Sequence, residues 1–183
     1  MKNSFLKSTI FLLLFAVLTN CSTNSRKKEL IKIDSLKTVI VQLKKDLEKL
    51  DTHKVAMRHQ MFVFNMEQIN PKIAKVKDSA IINLFNSYEP FERTYFLTFP
   101  KKLIKLSQQL DFSIKQLDSL HYDVTNGLIP KSKYLIYFKN EAANVNLLKD
   151  DVPLFINYMD KYKSLFDSLN PKIVEIRIKL TGK

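Results

Sequence analysis

The sequence predicts an all-α protein, an elongated antiparallel bundle of about five helices. Apolar residues recur every three or four positions over most of the chain, as they do on one face of a helix. The chain has only two glycines, so it nearly lacks the glycine-containing turns on which hairpin-rich β folds depend. A hydrophobic share of 45% with 26% charged residues is typical of a folded globular domain.

Residues 1–20 have the composition of an export signal. Lys2 and Lys7 give a positively charged start, and residues 8–18 form an apolar stretch of eleven residues. A helix needs about 20 apolar residues to span a bilayer. The stretch is therefore too short to cross a membrane and fits a secretory signal peptide.

The residues Leu18-Thr19-Asn20-Cys21 resemble the lipobox of bacterial lipoproteins, in which a leucine and two small residues precede a cysteine that is lipidated. Cys21 is the only cysteine of the chain. Asn20 departs from the Gly, Ala or Ser that is usual in that family. The resemblance implies a signal peptide over 1–20, fatty acyl chains such as palmitate on Cys21, and residence in the cell envelope. A plain secretory signal with an unrelated cysteine and a short uncleaved apolar anchor are the alternatives.

Residues 21–28 are predicted to form a basic, lipidated tether. Ser22 stands where an aspartate would resemble an inner-membrane retention signal, so the resemblance implies the outer membrane. In lipoproteins of the Bacteroidota, surface display is associated with acidic residues just after the cysteine. The basic run over residues 25–28 therefore favours a position facing the periplasm.

The chain is strongly basic, with a formal charge of +12. Removal of residues 1–20 takes away two lysines and no acidic residue, which leaves 28 basic against 18 acidic residues, or +10. A basic protein of the envelope can bind anionic polymers there. The alternative is that a lysine-rich chain simply has solvated helix faces.

Residues 29–183 are predicted to form a single helical bundle domain. Its first helix carries a heptad seam of alternating three- and four-residue spacings, made of Ile33, Leu36, Ile40, Leu43, Leu47 and Leu50. In a parallel homodimer Lys32 would face Lys37, and Asp46 would face Asp51 in the same way. Both contacts are repulsive, so we expect the seam to pack inside the molecule and the soluble domain to be monomeric.

Proline and glycine divide the remaining helices. The first helix is expected to extend over 27–69 and to end at Asn70-Pro71, although a kinked continuous helix is an alternative. Asn126-Gly127 is expected to form a left-handed helix cap. The further helices are predicted over 71–86, 100–125, 130–149 and 152–170, and the last resumes after Pro171. Residues 174–180 also alternate as a strand would.

Residues 88–99 interrupt this helical pattern and carry five aromatic side chains. An irregular connection of this length often docks or binds another molecule. Aromatic side chains also gain much from burial, which favours a segment packed across one end of the bundle.

The sequence predicts no catalytic, cofactor-binding or metal site. Gly127 is the only glycine available to the fold, so glycine-rich phosphate loops and calcium loops are absent. The three histidines lack a paired metal-ligand spacing. Met57 and Met61 stack at i and i+4, where a copper site is one interpretation, but methionines at seam positions are expected to fill the core.

Four prolines are followed directly by lysine, at Pro71, Pro100, Pro130 and Pro171. If each proline opens a helix, each lysine lies in a first turn, where the helix dipole disfavours positive charge. Around Pro100 this cluster predicts an anion-binding site made of Lys101, Lys102 and Lys105. The alternative is that exposed first-turn lysines cost only tenths of a kcal/mol.

These observations predict a non-catalytic, lipid-anchored envelope protein that acts as a structural or protein-interaction module. Its expected partners are the membrane, through the lipid, and an envelope protein or an anionic polymer; no nucleic acid is expected. The alternative function is a binding protein for an anionic envelope component or an apolar ligand. That ligand would be held by the basic surface or by the aromatic segment 88–99.

Overall fold

The computed structural model describes residues 26–182, and within them every regular element is a helix. The all-α prediction is therefore confirmed. The helices are α1 (26–48), α2 (Thr52–Ile73), α3 (Ser79–Tyr88), a π-helix (Glu92–Phe96), α4 (Thr98–Thr125) and α5 (Lys131–Thr181). The predicted signal peptide and Cys21 lie outside the described residues, whereas α1 already includes 26–28 of the predicted tether. No helix in the described range is both long and apolar enough to span a membrane.

The chain divides into two compact units. Within the described residues, unit 1 contains 26–42 and 110–147, and unit 2 contains 43–109 and 148–182. Helices α1, α4 and α5 therefore contribute residues to both units.

Unit 1 has an apolar core built from α1, α4 and α5. Its most buried side chains are Ile33, Ile40, Leu110, Leu117, Tyr134 and Val145. Two polar contacts join α1 to α4: Lys37 pairs with Asp118, and His121 Nε2 lies 3.5 Å from Asp34 Oδ1. Since the later residue of α1 meets the earlier residue of α4, the two helices run antiparallel here. The predicted seam thus faces inward in this unit.

The loop after α4 has the predicted left-handed cap. Gly127 has φ +65°, a conformation that glycine adopts without steric cost. Its N–H donates to the Val124 carbonyl, and the Leu128 N–H donates to the Asp123 carbonyl at 2.8 Å. These two bonds form a Schellman motif, which satisfies the last carbonyls of the helix.

Unit 2 has an aromatic core centred on Phe166 of α5. The Phe166 ring centroid lies 5.6 Å from those of Tyr88 and Phe91 and 5.4 Å from that of Phe96. Phe62 of α2 adds a ring 5.0 Å from Tyr88. Such pairs each stabilise a core by about 0.5–1.5 kcal/mol beyond their burial.

Residues 88–99 are helical except for turns at residues 89–90 and 97, so the prediction of an irregular connection is wrong. The Leu97 N–H donates to the Glu92 carbonyl at 2.9 Å, the i to i+5 bond of a π-helix. The wider turn accommodates one extra residue, and both Tyr95 and Phe96 are buried as a result. All five aromatic side chains of the segment are buried, as the packed-segment alternative predicts.

The helix breaks predicted at Pro71, at Pro171 and between residues 149 and 152 are wrong, whereas α5 begins directly after Pro130. Pro71 lies within the last turn of α2, and Pro153 and Pro171 lie inside α5, which is a single helix of 51 residues. A helix-interior proline costs about 3 kcal/mol. Burial of Ile69 and Ile173 beside these prolines offsets that cost. Residues 174–180, which also fit a strand, are helical.

The first helix breaks at residues 49–51, where the apolar spacing predicted a continuous helix. Asp51 is the N-cap of α2, and its carboxylate accepts a hydrogen bond from the Lys54 N–H at 2.9 Å. The break resets the helical phase. Phe62, Met66 and Ile69 are therefore buried. Met57 and Met61, which were expected to fill the core, are exposed, and so is Phe64.

Candidate functional site

The break between α1 and α2 forms one wall of a cavity of about 300 Å³ in unit 2. Helix α5 and the start of α4 supply the other walls. The charged side chains around it are Lys49, Asp51, Lys54, Arg58, Asp160 and Lys163. Its less polar lining includes the side chains of Val55, Tyr95, Phe99 and Met159. We call this site the polar cavity.

Arg58 is held in place at the cavity by Asp167. Its Nε and Nη2 atoms donate to the two carboxylate oxygens of Asp167 at 2.8 and 2.9 Å. Only 15% of the Arg58 side chain is exposed. The hydrogen bonds from Arg58 lower the pKa of Asp167, and the same contact raises the pKa of Arg58. The two-point contact fixes the direction in which the guanidinium points.

The charges around the cavity balance. Lys54 Nζ lies 3.3 Å from Asp51, and Lys49 Nζ lies 2.7 Å from Asp46, which is just outside the wall. Within residues 26–182, neither Asp160 nor Lys163 has a salt-bridge partner, although Lys163 is near enough to Asp167 to lower its pKa. The number of positive charges therefore equals the number of negative charges. The four cations are Lys49, Lys54, Arg58 and Lys163, and the four carboxylates are those of Asp51 and Asp160 in the lining and of Asp46 and Asp167 beside it.

Tyr95 places a buried aromatic ring beside this cavity. The residue is 1% exposed, and its ring packs against Phe96 and Tyr162 with centroid distances of 4.8 and 6.4 Å. Burial raises the pKa of Tyr95, and the positive charge of Arg58 opposes part of that effect.

A second depression of about 370 Å³ lies between α2 and α5 of unit 2. Its apolar lining consists of Met57, Met61, Phe166 and Pro171, and its polar lining of Lys54, Arg58, Asp167 and Asn170. We call it the methionine groove. Met57 and Met61 are 44% and 46% exposed, so the prediction that they fill the core is wrong.

A buried polar network lies beside the groove and joins α2, α3 and α5. Asn65 Nδ2 donates to Asn170 Oδ1 at 3.0 Å, and the Tyr88 hydroxyl donates to the same oxygen at 2.7 Å. Burial raises the pKa of Tyr88 to about 12, so its hydroxyl stays protonated and remains a donor. The network fixes Asn170, which is one of the polar groups of the groove.

The predicted anion site lies at the start of α4. Lys102 Nζ is 3.9 Å from Asp151 Oδ2, whereas Lys101 and Lys105 are exposed. The turn before α4 is itself helical, with Leu97 in the right-handed conformation. Nothing in the structure tests anion binding by these three lysines, and the site stays a prediction.

The other proline-lysine pairs differ in position. Lys131 begins α5, as predicted. Lys72 lies in the last turn of α2 and not in a first turn, and its Nζ donates to the Leu180 carbonyl at 3.0 Å. A cation there interacts favourably with the negative end of the α5 dipole.

Two of the three histidines, His59 and His121, lie beside carboxylates. His59 Nε2 lies 3.2 Å from both carboxylate oxygens of Glu92, and its ring stacks on Phe96 at 4.8 Å. Over residues 26–182, no group of three or more metal-ligating side chains is close enough to hold an ion.

The sequence interpretation missed the polar cavity. Its walls come from segments near residues 50, 97 and 160, which are far apart in the chain. The sequence signal that relates to this cavity is charge at helical spacing in two segments. The charged residues are Asp51, Lys54 and Arg58 in one segment and Asp160, Lys163 and Asp167 in the other. That pattern indicates two charged helix faces but not that they meet.

No protein-family model, curated protein or solved structure matches this chain.

Proposed function

We propose that this chain is a non-catalytic, lipid-anchored protein of the cell envelope that binds a partner protein through the methionine groove. The anchor is supported by the sequence, in which an export signal ends at the lipobox-like residues before Cys21. Two or more acyl chains give stable membrane residence, whereas a single chain gives marginal binding. The proposed location is the outer membrane, on its periplasmic side.

The observation that carries partner binding is the exposure of the two groove methionines. Apolar surface rimmed by polar groups marks interaction sites on soluble domains. Methionine side chains are flexible and adapt to the shape of a bound surface. Phe64 continues the same face of α2 one turn further on and is 50% exposed. Positions 57, 61 and 64 have the spacing of one helix face, which is suited to contact with a partner helix.

The charges beside this face define the partner's chemistry. The guanidinium carbon of Arg177 lies 4.7 Å from the Phe64 ring centroid, and its buried Nε atom has no hydrogen-bond partner within residues 26–182. Lys54 lines the other end of the face, and the carboxylate of Asp167 is neutralised by Arg58. The proposed partner therefore presents apolar side chains flanked by carboxylates.

An antiparallel helical bundle is the architecture that we propose for this module. Its support within unit 1 is the antiparallel register of α1 and α4. Its support within unit 2 is the pairing of Lys102 with Asp151 and of Phe99 with Phe155, whose ring centroids are 6.1 Å apart. The later position of α4 meets the earlier position of α5 in these pairs.

A site-specific photocrosslinking experiment tests the proposal. The full-length chain, with a photoreactive phenylalanine analogue at position 64, is expressed in its native cells and irradiated. We expect one discrete adduct, which is lost with Met61→Glu because the new charge sits in the apolar contact. Leu147→Glu alters a side chain in unit 1 that is 66% exposed, and it should leave the adduct unchanged. Equal adduct yields in both variants would contradict binding at the groove.

A further inference from the structure

One end of unit 1 lies close to the proposed lipid anchor. Arg26, the first residue of α1, follows Cys21 by five positions. Five residues span at most about 18 Å when the chain is fully extended. The start of α1 is therefore held near the membrane surface. This position rests on the proposed function, in which Cys21 carries the lipid.

The start of α1, the loop after α4 and the start of α5 meet at this end. The Arg26 guanidinium packs against Gly127 of the loop, with Nη2 3.0 Å from the position of the Cβ atom that the glycine lacks. Burial raises the pKa of Tyr134 in the first turn of α5, and the negative charge of Glu29 in α1 adds to that effect. The three segments are therefore neighbours, and all of them are held near the anchor.

Positive charge is concentrated at this end of unit 1. We call residues 26–31 and 122–135 the basic end. Its cations, all of them exposed, are Arg26, Lys27, Lys28, Lys131 and Lys133, and its carboxylates are Glu29 and Asp123. The opposite end of the unit, formed by residues 38–42, 110–114 and 143–147, has no lysine or arginine and one carboxylate. The charge of unit 1 is thus strongly asymmetric along its helices.

Exposed apolar side chains stand among these cations. Leu128 in the loop is 60% exposed, and Ile31 and Leu135, each within two helical turns of a helix start, are more than half exposed. Surface-bound segments are held to membranes by apolar side chains at the headgroup boundary together with basic side chains that attract anionic lipids. The basic end presents both kinds of side chain, whereas a merely solvated surface would need only the charged ones.

From these observations we infer that the basic end is a second membrane contact, which binds the anionic leaflet that carries the lipid anchor. Leu128 inserts between the headgroups, and Arg26, Lys131 and Lys133 pair with lipid phosphates. Because the link to the anchor is short, the basic end meets the headgroups at a high effective concentration. The contact fixes the orientation of unit 1, with the loop after α4 toward the lipid.

A tryptophan reporter tests this contact, since the chain contains no tryptophan of its own. The full-length chain with Leu128→Trp is purified from membranes and reconstituted into vesicles of phosphatidylethanolamine and phosphatidylglycerol. We expect blue-shifted emission that is quenched by brominated acyl chains. Leu147→Trp is the matched control, because Leu147 is 66% exposed and lies in the same unit. It is about 24 Å further along α5 than Lys131, so its emission should stay water-like and unquenched.

Salt and charge variants test the electrostatic part of the contact. At 1 M salt the screening length falls to about 3 Å, so the quenching at position 128 should decrease while the chain still floats with the vesicles. Each basic residue near an anionic surface shifts the equilibrium about fivefold, so Lys131→Gln with Lys133→Gln should lower the ratio of bound to released basic end roughly thirtyfold. Lys115→Gln with Lys139→Gln removes two exposed lysines of unit 1 outside the basic end and should leave this ratio nearly unchanged.

Vesicle flotation reports the anchor separately from the emission. A chain that floats while the tryptophan at position 128 stays water-exposed would overturn the membrane contact and leave the anchor in place. Equal quenching at positions 128 and 147, or equal quenching on anionic vesicles and on vesicles of phosphatidylcholine alone, would also overturn it. A chain that does not float would contradict the anchor, and quenching at position 128 on added anionic vesicles would still decide the contact.

Discussion

Replacement of Phe166 by alanine is expected to destabilise the protein more than any surface substitution. Phe166 is 1% exposed, and its ring contacts those of Tyr88, Phe91 and Phe96. Three ring contacts of about 0.5–1.5 kcal/mol each are lost together with the apolar burial of the side chain. Truncation of a buried phenylalanine to alanine costs about 3–5 kcal/mol.

The adjacent residue supplies a matched control. Leu165 is on the same helix but is 42% exposed, and Leu165→Ala should cost less than about 1 kcal/mol. The assay is urea unfolding of the soluble fragment 22–183, followed by circular dichroism. With a urea dependence of about 2 kcal/mol per M, Phe166→Ala should lower the midpoint by roughly 1.5–2.5 M. Equal midpoints for the two variants would refute the aromatic core of unit 2.

Three further predictions concern charge. Arg58 lowers the pKa of Asp167, so the contribution of this carboxylate is present above its unfolded pKa of about 3.9 and is lost as the pH falls through the folded value. Asp167→Asn should therefore be less stable than the parent by about 0.5–1 kcal/mol at pH 7 and equal to it near pH 2, measured by urea unfolding. Burial raises the pKa of Glu141, whose Oε2 atom has no partner within residues 26–182. The parent therefore loses stability as the pH rises from the pKa of Glu141 in the unfolded chain to its higher pKa in the folded protein. The stability of Glu141→Gln relative to the parent should accordingly increase from pH 4 to pH 8 in the same assay. A stability difference that does not change with pH would contradict this. Replacement of Lys101, Lys102 and Lys105 by glutamine should reduce co-sedimentation with anionic vesicles. The reduction should be larger than for glutamine at the dispersed positions Lys32, Lys115 and Lys139. Equal reductions would show that vesicle binding depends only on net charge.

Sequence patterning predicted the helices whose apolar spacing is regular. The alternation of Ile33, Ile40 and Leu47 correctly indicated an inward-facing seam in α1, and all three are buried. Asn126-Gly127 correctly marked a helix end, because the left-handed conformation strongly selects glycine. These features depend on apolar spacing and on the backbone preference of single residues, both of which can be recognised in the sequence without knowledge of the tertiary structure.

Proline was over-interpreted as a helix terminator. Pro153 and Pro171 each remove one backbone donor, but the helix on both sides is retained because its apolar face packs against the rest of unit 2. Asp150 and Asp151, two residues of the type that caps helix starts, directly precede Val152-Pro153 but lie inside α5, and Asp151 pairs with Lys102. The stabilisation from tertiary packing here exceeds the local preference of proline for a helix end, which is worth a few kcal/mol.

Residues 88–99 contained a helical signal that the prolines obscured. Tyr88, Phe91, Tyr95 and Phe99 are spaced by three, four and four residues, as on one helix face. Only Phe96 breaks the pattern, and the π-helix explains how it is buried with its neighbour Tyr95. An i to i+5 turn depends on the packing around it, so sequence spacing alone does not predict it.

The mass of the protein in the membrane fraction tests the lipid-anchored function most directly. Intact mass spectrometry of the chain from detergent-solubilised membranes should show the loss of residues 1–20 and the addition of a diacylglyceryl group at Cys21. Cys21→Ser should lack the added mass and should leave the membrane fraction after a salt wash. An unmodified or uncleaved parent chain, or a Cys21→Ser chain that stays in the membrane fraction, would contradict the account.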